Sequence, residues 1–442
     1  MFQAGFARVD VTPPLGTPLV GYFRARYAEG VLDPIELNAL ALSDGETKAV
    51  VVTADFVLAS EPFLSSVRAL IAEETGVAED HILLTALHQH TSINAGYPPR
   101  EKTLSVFSSY PDETYMNLLT RNFVDAAKMA IDDLAEATLT ASKRETAEPI
   151  SFIRRFRMKD GSTKTNPGHL NPEIDHPIGE ADNTVYFVRF AREGKGDIAL
   201  VNFGTHPDVI GGSKCSADWP GFARRLTEED LPGTHCVVVN GPQGDTNHCD
   251  VSKPAIKEPE ERYANSRRMG RLIADLVVDL WDKAAPVKPG PIRGAIEWNY
   301  VLSNTDGIDR IDEYIELSKA YYAKTLDRKL SMAERGAMNR IANMRNIKLF
   351  QNVPITVFTF GDVALVGFGG EPFTAYTRAA QAAAPDKFVL CACNANATMG
   401  YFPTKEAFDE GGYEASASVF TPVVEEMLNG CVKKLLDELC ER

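Results

Sequence analysis

Seven apolar runs recur along the chain: AVVVTADFVLA from Ala49, HILLTALHQH from His81, DIALVNFGTH from Asp197, CVVVN from Cys236, PITVFTF from Pro354, DVALVGFG from Asp362 and FVLCACN from Phe388. Their apolar stretches are short, rich in Val, Ile and Phe, and bounded by Gly, Asp or Asn, a pattern that predicts buried strands. Segments of helical period lie between them. Across residues 114–137, Leu119, Phe123, Ala127, Ala130 and Leu134 fall on one helical face. Val424, Leu428, Cys431, Leu435 and Leu439 repeat the pattern near the C-terminus. The alternation predicts an α/β fold with a mixed central sheet flanked by helices. Residues 150–182, rich in Arg, Pro, Asn and Gly, read as a long ordered loop, and the charged stretch 308–348 reads as an inserted helical hairpin. With no repeat, low-complexity tract or evident linker, residues 1–442 are expected to form one domain.

Composition narrows the functional classes. The chain carries 46 Lys+Arg against 61 Asp+Glu, a formal net charge of -15. Such a balance repels phosphate backbones and anionic lipid, so nucleic-acid and membrane-surface partners are not expected. The start MFQAGFARVDVTPP has neither a basic region nor an apolar core of a signal peptide, and no apolar run reaches the roughly 20 residues that span a bilayer. Seven cysteines, an odd number without a CxxC pair, are expected to be reduced thiols of a cytoplasmic protein. Cys391 and Cys393, inside an apolar run, read as buried filler.

Histidine is scarce, with eight in the chain, so its placement carries information. His88 and His90 sit at the end of ILLTALHQHT. Two apart on a strand, their imidazoles would project to one face at the C-terminal end of the sheet, where α/β sites form. Two hydrogen-bonded surface histidines are the bland alternative. His206, followed by Pro207, closes a second strand in the same way. Catalytic zinc commonly takes three protein ligands and keeps one open position. Glu371, after Gly369 and Gly370 in GFGGEPF, can supply the third, or can cap the helix that follows. Tyr401 and Tyr413 can pack a loop or donate hydrogen bonds to a developing oxyanion. Asp55 and Asp218 are candidates for orienting the histidines, with turn formation as the alternative. Asp245 lies in NGPQGDTNH, which lacks the phosphate-loop pattern, and no G-x-S-x-G elbow exists, so nucleotide binding and serine-hydrolase chemistry are rejected.

Several short stretches resemble the neutral/alkaline (non-lysosomal) ceramidase family over its large N-terminal catalytic domain. They run in order from ARVDVTPPLGTPLVGY through VVTADFV, TALHQHTS, SFIRRFRMKDGSTKTNPG, NFGTHPDVI, SADWPGFARR and NGPQGDTNH to GGEPF and GYFPTKEAFDEGGYE. The resemblance implies a zinc amidase in which His88, His206, Glu371 and Tyr401 are metal ligands. It further implies that His90 polarises the substrate, that Tyr413 is a second active-site tyrosine, that Arg154 is an active-site arginine, and that the backbone of Gly21 lies near the reacting carbonyl. The family's GDVSPN stretch is GDTNHC here, placing Asn247 where the family has serine, among the substrate-binding residues.

The function expected is hydrolysis of an amide, or of a lactone or ester, in a small soluble substrate by metal-activated water. Arg154 would hold a polar or anionic part of that substrate. A metal-dependent lyase or isomerase acting on a sugar-like molecule, and a non-catalytic binding protein on the same scaffold, are the alternatives. A homo-oligomer is compatible with the sequence.

Overall fold

The structure, a computed structural model, describes residues 1–98 and 108–440. Its frame is two stacked sheets. The larger is nine-stranded, and its main path runs His235–Asn240, Ile198–Phe203, Thr184–Arg192, Ala135–Glu145, Gln3–Asp10, Glu36–Ser43, Lys48–Ala54 and Ile82–Ala86. Its interior pairs are antiparallel, whereas the outermost pair at each end is parallel. The second sheet orders Ile292–Leu302, Phe350–Phe360, Val363–Phe368 and Phe388–Ala392, and its last pair is again parallel. The expected mixed sheet is therefore present, with a second sheet against one face. Six strands of these two sheets carry no apolar run that marks them. Glu36–Ser43 is buried along its whole length yet reads ELNALALS, a composition that suits a helix equally well.

Phe190, Leu200 and Val237 of the large sheet interlock with Phe358, Phe360 and Leu365 of the small one. Each such fully buried side chain contributes about 1.5–3 kcal/mol of transfer free energy. Helices cover the outer faces. α1 (Glu61–Thr75) and α2 (Glu113–Asp132) pack on one half of the large sheet, and α3 (Asp218–Asp230) and α4 (Pro259–Leu280) on the other. α2 stops earlier than its periodicity suggested: Leu134 lies beyond it, and Ala135 already begins a strand. α5 (Ile311–Tyr322) and α6 (Met332–Ala342) form the expected helical hairpin. α7 (Thr374–Ala383) and α10 (Val423–Cys440) cover the small sheet, and Val424, Leu428, Cys431 and Leu435 are buried as predicted. Short α8 (Lys405–Glu410) and α9 (Tyr413–Ala417) precede α10.

Residues 150–182 are not a loop throughout. Thr163–Thr165, Arg155–Met158 and Ile174–Pro177 form a three-stranded antiparallel sheet in which Phe156 and Met158 turn inward. All seven cysteines are free, and Cys391 and Cys393 are buried. Among the described residues no helix is long and apolar enough to cross a membrane.

Polar stitches fix the two sheets in register near one edge. Asn202 Nδ2 donates to the Cys391 carbonyl (2.8 Å) while its Oδ1 accepts from Cys391 N (3.1 Å). Thr85 Oγ1 donates to the Cys393 carbonyl at 2.7 Å, and Asn396 Oδ1 accepts from Leu84 N at 3.1 Å. Buried groups satisfied this fully hold the sheet edges to one relative position. The C-terminal ends of the parallel strands meet there.

Candidate metal centre

His88 and His90 leave the sheet rather than ending it, since their strand stops at Ala86. Leu87 N still bonds the Ala54 carbonyl and His88 N that of Phe56, but His88 then takes a left-handed φ of 77°. Their rings nevertheless converge, with centroids 4.9 Å apart, so the expected shared direction arises from this turn and not from strand alternation. His206 likewise lies three residues past the strand end at Phe203. Its ring centroid is 4.9 Å from that of His88 and 5.6 Å from that of His90. One potential ligating nitrogen from each of the three buried histidines lies within 4.8 Å of the others.

Glu371 arrives from the small sheet. Glu371–Pro372 pairs in parallel with Tyr401–Phe402, Glu371 opposite Tyr401. Gly370 makes this approach possible: a Cβ there would lie 2.6 Å from the Gly400 carbonyl oxygen and 2.6 Å from the Phe402 ring. Close backbone approach, rather than a left-handed turn, is thus the reason for glycine. Glu371 does not cap α7. Asp245 does so, accepting from Thr374 N at 2.8 Å and from its hydroxyl at 2.9 Å.

Freed from capping, Glu371 Oε2 lies 3.2 Å from His88 Nε2 and 3.2 Å from His206 Nε2. Among the described residues neither His206 Nε2 nor Glu371 Oε2 has a hydrogen-bond partner, although both are buried. Ligands about 2.0–2.1 Å from a tetrahedral ion are separated from each other by roughly 3.3 Å, so these spacings fit three ligands around a common point. Each imidazole is aimed by its other nitrogen: His88 Nδ1 is 2.7 Å from the Val57 carbonyl and His206 Nδ1 is 2.9 Å from that of Gln243. Those contacts place the proton on Nδ1 and leave Nε2 with its lone pair. His206 is lowered by burial and then by the nearby Arg154 charge. A buried two-nitrogen, one-oxygen set with unclaimed lone pairs is suited to a divalent ion.

Asp55 and Asp218 do not touch these rings. Asp55 is bound by Arg224, Gln89 Nε2 and Glu36 N, and acts on the site only by fastening the loop that bears the histidines. Asp218 accepts from Ile210 N, Trp219 N and the Ser266 hydroxyl at the start of α3. Backbone carbonyls do the orienting, and no sequence pattern marks those.

His90 stands beside the three ligands. Its N bonds the Pro207 carbonyl and its own carbonyl accepts from Arg26 Nη2, but neither ring nitrogen has a partner among the described residues. Burial keeps the imidazole well below its ordinary pKa, hence neutral. Gly21, at φ 100°, lets the chain pass against it: a Cβ would come within 2.9 Å of His90 Cγ. Tyr401 and Tyr413 meet edge to face at 5.4 Å, and the Arg154 guanidinium lies 5.3 Å from the Tyr401 ring. Burial pushes the Tyr413 phenol up to about 12 and raises that of Tyr401 well above its usual value. Buried Glu414 sits 2.8 Å from Arg154 Nε, and Arg154 Nη2 donates to the Gly244 carbonyl.

Gly21, His90, Arg154, Tyr401 and Tyr413 line one cavity of about 920 Å³. Asn247 lines a neighbouring cavity of about 650 Å³, where its amide donates to Asn166 Oδ1 at 2.8 Å. Tyr22, Asn166, Asp208 and Arg262 border both cavities. The sequence reading missed Asp208 and its partner His248, whose Nδ1 is 3.0 Å away. Their only signal was position, Asp208 two residues after His206 and His248 next to Asn247.

No protein-family model matches the sequence, and no curated protein matches it. Solved structures do. They include neutral ceramidase from Pseudomonas aeruginosa, with a TM-score of 0.74 and 17% identity over 99% of this chain and 74% of that one. A ceramidase complexed with C2 gives a TM-score of 0.71 and 16% identity, again over 99% and 74%. Stacked sheets, strand-end histidines and a carboxylate delivered from the second sheet therefore belong to a chain with the neutral ceramidase fold.

Proposed function

We propose that the chain is a zinc-dependent hydrolase, a divergent relative of the neutral ceramidases, cleaving an amide (or a lactone or ester) bond of a small soluble substrate inside the cell. One observation carries this reading: two imidazole nitrogens and one carboxylate oxygen, mutually unbonded, face a common point next to His90, which lines a cleft large enough for a small molecule. His88, His206 and Glu371 would hold the metal, which when bound polarises a carbonyl and brings the pKa of a water towards roughly 7. Seven free cysteines support a reducing compartment.

The chain's own residues supply the remaining chemistry. Neutral His90 has one ring N–H to donate to a carbonyl oxygen and one lone pair to take a proton, with no protein group competing for either. The phenols of Tyr401 and Tyr413 stay protonated at neutral pH and serve as donors to an oxyanion. Arg154, fixed by Glu414 and Gly244, keeps a positive charge beside Tyr401. Protonation of a departing amine falls to His90 or Tyr413.

The test assays acylated amines, lactones and keto-sugars in isotope-labelled water with metal-loaded protein. Solvent oxygen in an acid product is the expected result. Conversion of a keto-sugar without solvent oxygen, and no acid product from any acyl compound, would replace hydrolysis with isomerase chemistry.

A further inference from the structure

The two adjoining cavities differ in how their charges are matched. In the smaller one Arg268 pairs with Glu148 at 2.5 Å, Lys253 with Asp250 at 3.1 Å and His248 with Asp208 at 3.0 Å, which leaves Arg262, shared by both cavities, as its one arginine or lysine without an acid among the described residues. In the larger one, beside the metal centre, Arg24, Arg262, Lys324 and Arg335 line the wall, and among the described residues none of the four forms an ion pair with a carboxylate. The single acid on that wall is Asp208, already committed to His248. An excess of four positive charges thus converges on one cleft in a chain whose net charge is -15. Self-repulsion among them is a cost that folding alone does not reward.

Two of the four are held in place for a ligand. Arg262 Nε donates to the Val209 carbonyl at 2.9 Å and its Nη2 approaches that of Asp208 at 3.5 Å. The side chain fits because residue 211 is glycine, where a Cβ would lie 2.7 Å from Arg262 Nη1. Arg335, on α6, lies over the Phe23 ring at 5.5 Å. Arg24 lies 5.9 Å from the Tyr22 ring. Lys324 sits between α5 and α6 with a left-handed φ of 58°. The helical insertion therefore delivers two of the four charges, and aromatic rings support two of the guanidinium groups.

We propose that this cleft recognises an anionic small molecule, its carboxylate or phosphate-type oxyanion held by Arg262, Arg335, Lys324 and Arg24. Resting on the assignment of the cleft as the active site, this makes the substrate an acid-bearing amide, lactone or ester rather than a neutral lipid. Guanidinium forks match planar oxyanions, and Arg262 is pre-ordered, so little freedom is lost on binding. Arg154, whose charge Glu414 compensates, is not counted among these four.

The test uses the metal-loaded full chain and hydrolysis-proof probes: succinate against succinamide, and inorganic phosphate, by titration calorimetry. Succinate or phosphate is expected to bind at least tenfold tighter than succinamide, and more weakly as salt rises. Arg335→Gln and Lys324→Gln should each weaken the anion on the order of tenfold and leave succinamide unchanged. Arg24→Gln gives a third reading at an exposed position, and Lys253→Gln in the matched cavity is the control. Equal affinity for charged and neutral probes, no anion binding, or indifference to all three substitutions would overturn the proposal. Because binding is read without turnover, absence of hydrolysis would count against the reaction alone. If phosphate binds and succinate does not, the anchor is specific for a phosphate-type group.

Discussion

Glu414 gives a direct way to weigh the scaffold behind the tyrosines. Its carboxylate is fully buried, 2.8 Å from Arg154 Nε and 3.7 Å from Arg155 Nε, and accepts from the Thr165 hydroxyl at 2.7 Å. Glu414→Gln keeps the volume and removes the charge, leaving the buried Arg154 guanidinium uncompensated. Breaking a buried pair this way costs about 3–5 kcal/mol. The Arg154–Glu414 contact departs from hydrogen-bond geometry, which favours the lower end, about 3 kcal/mol. For 442 residues an unfolding entropy of about 0.9 kcal/mol/K follows from the usual per-residue value, so Tm should fall by about 3 °C. Calorimetry of metal-loaded protein measures this. Activity should fall more than stability, through kcat, because Arg154 then no longer holds its place beside Tyr401. The pair Arg154→Met with Glu414→Leu should recover Tm but not activity, since apolar replacement of a buried pair is often neutral. An unchanged Tm in Glu414→Gln, or full activity in the double variant, would refute this account of the ion pair.

Three other outcomes follow from the same geometry. Gly21→Ala forces a Cβ to within 2.9 Å of His90 Cγ at a left-handed φ, costing about 1–3 kcal/mol; turnover should drop while metal content, read by elemental analysis, holds. Tyr413→Phe removes one oxyanion donor and should lower kcat by about 10²–10³-fold with little change in KM, a split that steady-state kinetics on an acylated amine reports. His248, despite burial that lowers it, is raised to about 10 by Cys249 and Asp208, so its contribution to stability is complete below its unfolded value near 6.5 and is lost as pH rises through about 10. Denaturant midpoints between pH 6.5 and 8.5 should therefore fall more steeply in the wild type than in His248→Gln; parallel slopes would remove the charge from His248.

Much of the frame is legible in the residues because apolar runs mark buried strands, and most of those strands form the parallel pairs that carry the site beyond their ends. Strands such as Ala135–Glu145, with buried Leu139 and Ala141 among polar neighbours, give a weaker pattern than the helix they follow, so the helical period of α2 runs on past its end to Leu134. His88, His206 and Glu371 stand out because histidine is rare and the flanking glycine and proline end strands. What ties them is less visible. The carbonyls of Val57 and Gln243 that aim the rings, and Asp245 that relieves Glu371 of capping, depend on loops whose conformation no local pattern fixes. The unmatched cations of the cleft come from three separate segments, and only their spatial convergence gives them meaning.

The central claim is that His88, His206 and Glu371 share one metal ion with His90 standing outside it. Elemental analysis of the purified protein and of His88→Ala, His206→Ala, Glu371→Gln and His90→Ala, after chelation and reloading with zinc, tests it directly. One zinc per chain in the wild type and in His90→Ala, with loss in the other three, is the predicted result. Full zinc in His88→Ala or His206→Ala, or loss in His90→Ala with retention in Glu371→Gln, would contradict it, the latter by making the three histidines the ligands.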